Sequence, residues 1–302
     1  MATLVGFAGW PRGSLHLAIG VFDGVHVGHR ALIRHMVKGA RAVSATAMAT
    51  TFDPLPIQIL APGAPPSALS DARERAELLA QAGADAVVAF PFDEAFAAMR
   101  AAEFVQRLRA AGDVRRIVVG ADFRFGHDRE GDVDLLRAAG GWEVDVVDPV
   151  EVDGAVVSST VIRNVLLGGH VEEAASLLGR PYAIPGRIEH GEKRGRALGY
   201  PTINVATPPE RLLPRDGIYA TYVTLAGERH PAATSLGVRP TFGGGERVLE
   251  SFLIDWSGDA YGETVATAFV RRLRDELRFA SAEELVRQIE RDVAGARSAL
   301  LG

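Results

Sequence analysis

His26 and His29 stand three apart in the run Ile19-Gly20-Val21-Phe22-Asp23-Gly24-Val25-His26-Val27-Gly28-His29. An apolar run, Leu15 to Ile19, precedes them, and Leu32, Ile33, Met36, Val37 and Ala40 follow at helical spacing, so the stretch reads as strand, glycine-rich turn and helix start. Imidazoles three apart at a helix start project from one side, beside amides with no partner inside the helix. The partial positive charge of that terminus suits an anion, and Gly24 and Gly28 would let a phosphate approach the backbone. The chemistry is then stabilisation of charge on phosphoryl oxygens without a nucleophile. Two other readings stay open here: polar groups of an ordinary turn, or a zinc pair. A third zinc ligand is not evident, because Cys is absent and the other six His are scattered.

Further reactive types recur downstream. Ser158-Ser159-Thr160-Val161-Ile162-Arg163 opens a helix, where hydroxyls cap the helix or bind a phosphate and Arg163 could neutralise phosphate charge. Thr51 to Pro56 and Gly120 to Gly131 follow strand-like runs and carry Asp53, Asp122, Phe123 and Phe125; either Phe could pack or face a ligand. Gly186 to Asn204 holds four glycines and five basic or imidazole groups, among them Gly191, Lys193, Gly195 and Arg196, the composition of a flap over phosphates or of a solvated hairpin tip. No GxxxxGK[ST] is present, so a P-loop is excluded. Thr202 and Asn204, two apart on an extended strand, point one way and offer the hard oxygen atoms that Mg²⁺ prefers. Glu250 shares a strand face with Phe252 and Ile254, and the sequence leaves open whether that face is inside or out.

These residues need elements to hold them. Strand patterns at Thr46 to Phe52, Ala86 to Phe90, Arg116 to Gly120 and Trp142 to Val147 alternate with helical ones at Asp71 to Gln81, Asp93 to Ala111 and near Asp134 to Ala138. Such alternation predicts an α/β, Rossmann-like parallel sheet with its ligand rim at the strands' carboxyl ends. Beyond Gly179-Arg180-Pro181-Tyr182, short apolar runs such as Tyr219 to Leu225 and Val248 to Ile254 predict an antiparallel β-barrel. A last helix, with Ser281 and Glu284 as a capping box and Leu285, Ile289, Val293 and Leu300 as its apolar stripe, is expected to dock on that barrel. The boundary is placed at 183/184.

The 302 residues suffice for two cores. Lys plus Arg number 33 against 38 Asp plus Glu, so no overall positive field points to nucleic acid. The absence of Cys rules out disulfides and thiolate chemistry, and no apolar run has membrane-spanning length. The expectation is a cytoplasmic protein acting on small molecules.

The motifs in their order resemble those of the bifunctional riboflavin kinase/FAD synthetase family, over roughly Leu15 to Asp292. HxGH and SSTxIR resemble the adenylyltransferase's two phosphate elements. The resemblance makes His26, His29, Ser159, Thr160 and Arg163 catalytic there, with Gly20, Phe22, Asp23, Gly24, Gly28 and Ser158 at the nucleotide. VGxDFRFGxxRxG and TFDPHP, the latter with Leu55 in place of its His, imply flavin contacts at Asp53, Asp122, Phe123 and Phe125. In the second half, the PTxN motif implies Mg²⁺ at Thr202 and Asn204. Gly191, Lys193, Gly195 and Arg196 would bind ATP, Arg239 the flavin, and Glu250 would be the base that deprotonates the ribityl 5′-hydroxyl. The competing readings are a flavin-binding regulatory protein with one active domain, and transfer of a nucleotide to some other phosphate ester.

Overall fold

Alternating strand and helix patterns in the first half become a six-stranded parallel sheet. A computed structural model describes residues 3–65, 67–190, 198–239 and 246–302, which divide into two compact units, Met1–Ser159 and Thr160–Gly302. The first unit holds β1 (Thr3–Val5), β2 (Ser14–Ala18), β3 (Thr46–Asp53), β4 (Ala86–Pro91), β5 (Asp113–Gly120) and β6 (Glu143–Val147), in the order β1-β4-β3-β2-β5-β6. Strand order reverses at β2, which pairs with β3 on one side and β5 on the other. The crevice outside the carboxyl ends of the strands at such a reversal is where α/β sheets take ligands. The carboxyl ends of β2, β3 and β5 and the loops that follow them carry the HxGH turn, TFDP and the Phe123–Phe125 motif.

Helices α1 (Val27–Ala42), α2 (Pro56–Leu60), α3 (Ala72–Gln81), α4 (Glu94–Ala97), α5 (Ala101–Ala111) and α6 (Val133–Ala139) accompany this sheet. A minor hairpin of β7 (Glu151–Val152) and β8 (Ala155–Val156) follows. Strand alternation feeds two cores, one with Leu15, Leu17, Phe90 and Ile117, the other with Ala18, Ala47, Val87 and Val118 against Ile33 and Met36 of α1. The single helix expected over Asp93 to Ala111 is two helices. Met99 carbonyl accepts from His127 N–H at 2.8 Å, and the Ala101 amide donates to the Glu130 carboxylate at 2.8 Å. A loop some thirty residues downstream takes the hydrogen bonds that a continuous helix would have used, a rearrangement that helical periodicity does not register.

The second unit begins with α7 (Ser159–Gly168), whose first residue closes the first unit, and α8 (Val171–Leu178). A closed barrel follows, made of β9 (Tyr182–Glu189), β10 (Ile203–Ala206), β11 (Gly217–Leu225), β12 (Glu228–Arg239), β13 (Glu246–Leu253) and β14 (Thr264–Arg274), in the order β10-β13-β12-β11-β14-β9. Ring closure leaves no unpaired edge. Its interior holds Tyr219, Val223 and Phe269 and a buried hydroxyl chain, Thr221 to Thr234 at 2.6 Å and Thr234 to Ser251 at 2.8 Å. The terminal helix α9 (Ala282–Leu301) packs outside, with Val293, Ala296 and Leu300 against Ala220, Phe252 and Ile254. Ser281 Oγ accepts from the Glu284 amide at 3.2 Å. The Glu284 carboxylate accepts from Ala280 N–H, one residue before the amide that a regular capping box uses.

Compactness divides the chain earlier than the expected 183/184. Helices α7 and α8 go with the barrel: α8 packs on β14 and β9, and Arg215 N–H donates to Leu166 carbonyl at 3.0 Å. Gly169 has φ +86° and lies so close to Arg272 that a Cβ there would stand 2.8 Å from its Nε.

Candidate active sites

His26 is the N-cap of α1, its Nδ1 accepting the His29 amide at 3.2 Å. The two imidazoles are stacked, centroids 3.5 Å apart and planes 20° from parallel. The glycine between them gives the ring room: a Cβ on Gly28 would stand 3.2 Å from His26 Nδ1, so the imidazole would have to shift by a few tenths of an ångström. Phe22 meets His29 edge-on at 5.1 Å and lies over Gly20, where a Cβ would stand 2.8 Å from its ring. With Nδ1 of His26 accepting, the neutral tautomer of that ring has its proton on Nε2. Burial, and then the neighbouring His26 ring, hold the His29 pKa well below the ordinary imidazole value, and its Nδ1 is buried without a hydrogen-bond partner.

The turn is held in an unusual backbone conformation, with φ +53° at Phe22, +77° at Gly24 and +40° at Val25. Left-handed geometry at a β-branched residue persists only where neighbours over-determine it, and here they do. The Asp23 carboxylate is buried and accepts from the amides of Leu69 and Ser70 at 3.0 Å and from the Ser70 hydroxyl at 3.1 Å. Ser70 Oγ in turn accepts from Gly24 N–H at 2.9 Å. Ser159, at the start of α7, donates its hydroxyl to the Asp23 carbonyl at 2.9 Å.

Beside this turn a cleft of about 280 Å³ is lined by Gly20, Phe52, Phe96, Phe123, Arg124 and Arg129, among others. The three loops that the sequence places at the carboxyl rim thus line one cavity. Phe125 is 9% exposed and belongs to the core beneath. Phe123, stacked on it at 5.4 Å, is only partly buried. Asp53, at the end of β3, and Asp122, just beyond β5, are exposed. Leu55 is 2% exposed and buried away from solvent.

In the barrel, Asn204 of β10 is the direct cross-strand partner of Glu250 of β13, which places both side chains on one face. Leu249, Ser251 and Leu253 occupy the interior, so Glu250 and Phe252 are on the outer face, under α9. There they line a cleft of about 290 Å³ with Thr202, Tyr200, Ile289 and Val293. Thr202 also lines a second cleft, of about 470 Å³, with Pro201, Trp256, Asp259 and Tyr261. A hydroxyl between two cavities, followed two residues later by a carboxamide opposite a carboxylate, suits transfer between two bound molecules.

Comparisons with known proteins bear on both halves. The family described as FAD synthetase matches residues 12–161, and that described as riboflavin kinase matches residues 178–300. The bifunctional riboflavin kinase/FMN adenylyltransferase of Pseudomonas fluorescens is 40% identical over 285 residues, 93% of this chain and 91% of that one. The chain belongs to the bifunctional riboflavin kinase/FMN adenylyltransferase family. The Escherichia coli K12 member is 39% identical over 292 residues, 95% of this chain and 93% of its own. A solved structure described as a macrolide-efflux protein from Streptococcus pneumoniae has a TM-score of 0.91 at 34% identity, covering 98% of this chain and 99% of that one. Among the described residues here, no helix is long and apolar enough to cross a membrane. The chain therefore phosphorylates riboflavin to FMN with its C-terminal half and joins AMP from ATP to FMN with its N-terminal half.

Within the adenylyltransferase half, Gly20, Phe22, Asp23, Gly24, Gly28, His26 and His29 form one turn, but Phe22 and Asp23 are turned into the protein. Ser158 is half-buried; Thr160, exposed, and Arg163, half-buried, lie on α7. In the kinase half Gly191, Lys193, Gly195 and Arg196 lie outside the described residues, as does the side chain of Arg239. Sequence reasoning overlooked Ser70, Arg75 and the pair Arg274–Asp292, joined at 2.6 Å at the floor of the cleft under α9. Arg75 left one trace: with Ala76 and Leu79 it occupies the buried stripe of α3. Enzymes of these two families need a divalent metal. Among the described residues no cluster of three His, Cys, Asp or Glu could hold one. Hydroxyl and carboxamide oxygens fit an ion that takes most of its ligands from phosphate and water.

Proposed function

We propose that the adenylyltransferase site is the HxGH turn with the cleft beside it, and the kinase site the outer face around Glu250, Asn204 and Thr202. The observation that carries the first is the stacked, neutral imidazole pair at the start of α1. Imidazole donors at a helix N-terminus suit the charge that develops on the α-phosphate of ATP as the FMN phosphate attacks in line. Neutral rings donate without adding a charge that would hold the pyrophosphate back. Thr160 and Arg163, two members of the second phosphate motif, are one turn apart on α7, and Ser159 is bonded to the Asp23 carbonyl. The flavin ring lies among the phenylalanines, against the accessible Phe123, with Asp53 and Asp122 at its polar edge. The functional boundary is kept at 183/184, because α7 carries adenylyltransferase motifs whatever it packs against.

In the kinase half, Glu250 takes the proton of the ribityl 5′-hydroxyl as that oxygen attacks the γ-phosphate. The ion is Mg²⁺, held by Thr202 and Asn204; when bound it supplies charge neutralisation to the phosphates. Riboflavin lies in the cleft under α9, and Arg239, Gly191, Lys193, Gly195 and Arg196 complete the flavin and ATP contacts. Cytoplasmic action belongs to the same proposal. Purified protein given riboflavin, ATP and Mg²⁺ and assayed separately for FMN and FAD tests it. His29→Ala is expected to abolish FAD formation and keep FMN formation, and Glu250→Ala, assayed with riboflavin and with added FMN, the reverse. Either variant losing both reactions while folded would refute one site per half.

A further inference from the structure

Arg75 is a buried cation, 1% exposed on α3, and among the described residues its guanidinium hydrogen-bonds to neutral oxygens. Its Nε donates to Thr51 Oγ1 at 3.2 Å, one terminal nitrogen to Ser70 carbonyl at 2.6 Å, and the other to Phe52 carbonyl at 2.7 Å. Thr51 passes the connection on, donating to the carbonyl of Val21 at 2.7 Å. Ser70 passes it on a second time, through the Asp23 carboxylate and the Gly24 amide. One guanidinium thus joins the end of β3, the loop before α3 and both sides of the strained turn that presents His26 and His29. Burial lowers its pKa, and the fields of Asp23, Asp53, Asp71 and Glu74 oppose that. A buried charge costs several kcal/mol in principle, and an apolar side chain would fill the stripe of α3 without that cost.

We propose that Arg75 is a positioning residue for adenylyl transfer, fixing the HxGH turn against the flavin loop through Thr51 and through Ser70 and Asp23. The inference rests on reading that turn as the adenylyltransferase site. Only a planar fork reaches three acceptors in different directions. Lysine in its place ends in a single point charge that does not span all three acceptors, and the turn, with three positive φ values, loses part of what over-determines it.

The test uses the full-length protein with Arg75→Lys, and with Thr51→Val and Thr51→Ser as gentler changes at the next link. Riboflavin phosphorylation in the same molecule monitors the other half, and FMN-binding stoichiometry, read by flavin fluorescence against the parent, counts intact sites. Arg75→Lys and Thr51→Val are expected to lower kcat for FAD formation by about a hundredfold, the scale of a misplacement near 1 Å. FMN stoichiometry and riboflavin phosphorylation stay at parental levels, and Thr51→Ser restores kcat to within a fewfold. The proposal is overturned if both variants keep kcat within about twofold of the parent. It is overturned equally if kcat falls only in proportion to lost FMN sites, which is a folding role. His29→Ala separates the two ideas: if it also leaves FAD formation intact, the reading of the turn fails rather than the role of Arg75.

Discussion

Gly28 shows how one missing carbon serves catalysis. The His26 ring lies against its Cα, so Gly28→Ala shifts the imidazole by a few tenths of an ångström relative to His29 and to the amide it caps. FAD formation should fall at least tenfold, on the order expected when a positioned donor is displaced, with riboflavin phosphorylation unchanged. His29 carries a second expectation, through pH. The unfolded imidazole takes its proton near pH 6.5, the folded one only at much lower pH. Between those values the unfolded state binds more protons, so this contribution to stability is full above about pH 6.5 and is lost as pH falls. His29→Gln should therefore lose less of its thermal stability than the parent between pH 7.5 and pH 5.5, the two Tm values being compared at each pH. Equal losses would mean that His29 is protonated in the folded chain.

At the level of elements, the kinase cleft depends on how α9 is pinned to the barrel. Arg274 and Asp292 make two bonds, at 2.8 and 2.6 Å, and Gln288 adds a third to the same carboxylate at 2.9 Å. Asp292→Ala strands a largely buried guanidinium, at a cost on the order of 3 kcal/mol. It also frees the helix that brings Ile289 and Val293 to the cleft wall. The KM for riboflavin should rise more than kcat falls, while FAD formation from added FMN keeps its rate; a selective loss of kcat would place the pair elsewhere in the mechanism. The sequence made α9 and its docking stripe legible, because apolar residues repeat at 3.6 and a Ser caps the start. The split of the expected Asp93–Ala111 helix was not legible, because His127 and Glu130 interrupt it from another loop.

On the scale of the whole molecule, two reactions share one intermediate. A mixture of the His29→Ala and Glu250→Ala proteins should convert riboflavin to FAD, the first supplying FMN that the second consumes, with a lag that lengthens on dilution. Failure of such a mixture, with each variant active in its own half, would mean that FMN does not pass through solution. Composition, periodicity and ordered motifs determined a parallel α/β sheet, a following barrel, a terminal helix and two chemistries, because these depend on local spacing and residue type. The tertiary structure decided which face of β13 carries Glu250, since barrel closure sends Ser251 inward and leaves Glu250 to α9. It also decided that Phe123 is the more exposed of the two phenylalanines that line the cleft, and that Asp23 faces the protein. Each of these depends on which strand lies beside which, and pairing between residues far apart in the chain leaves no period in the sequence to read.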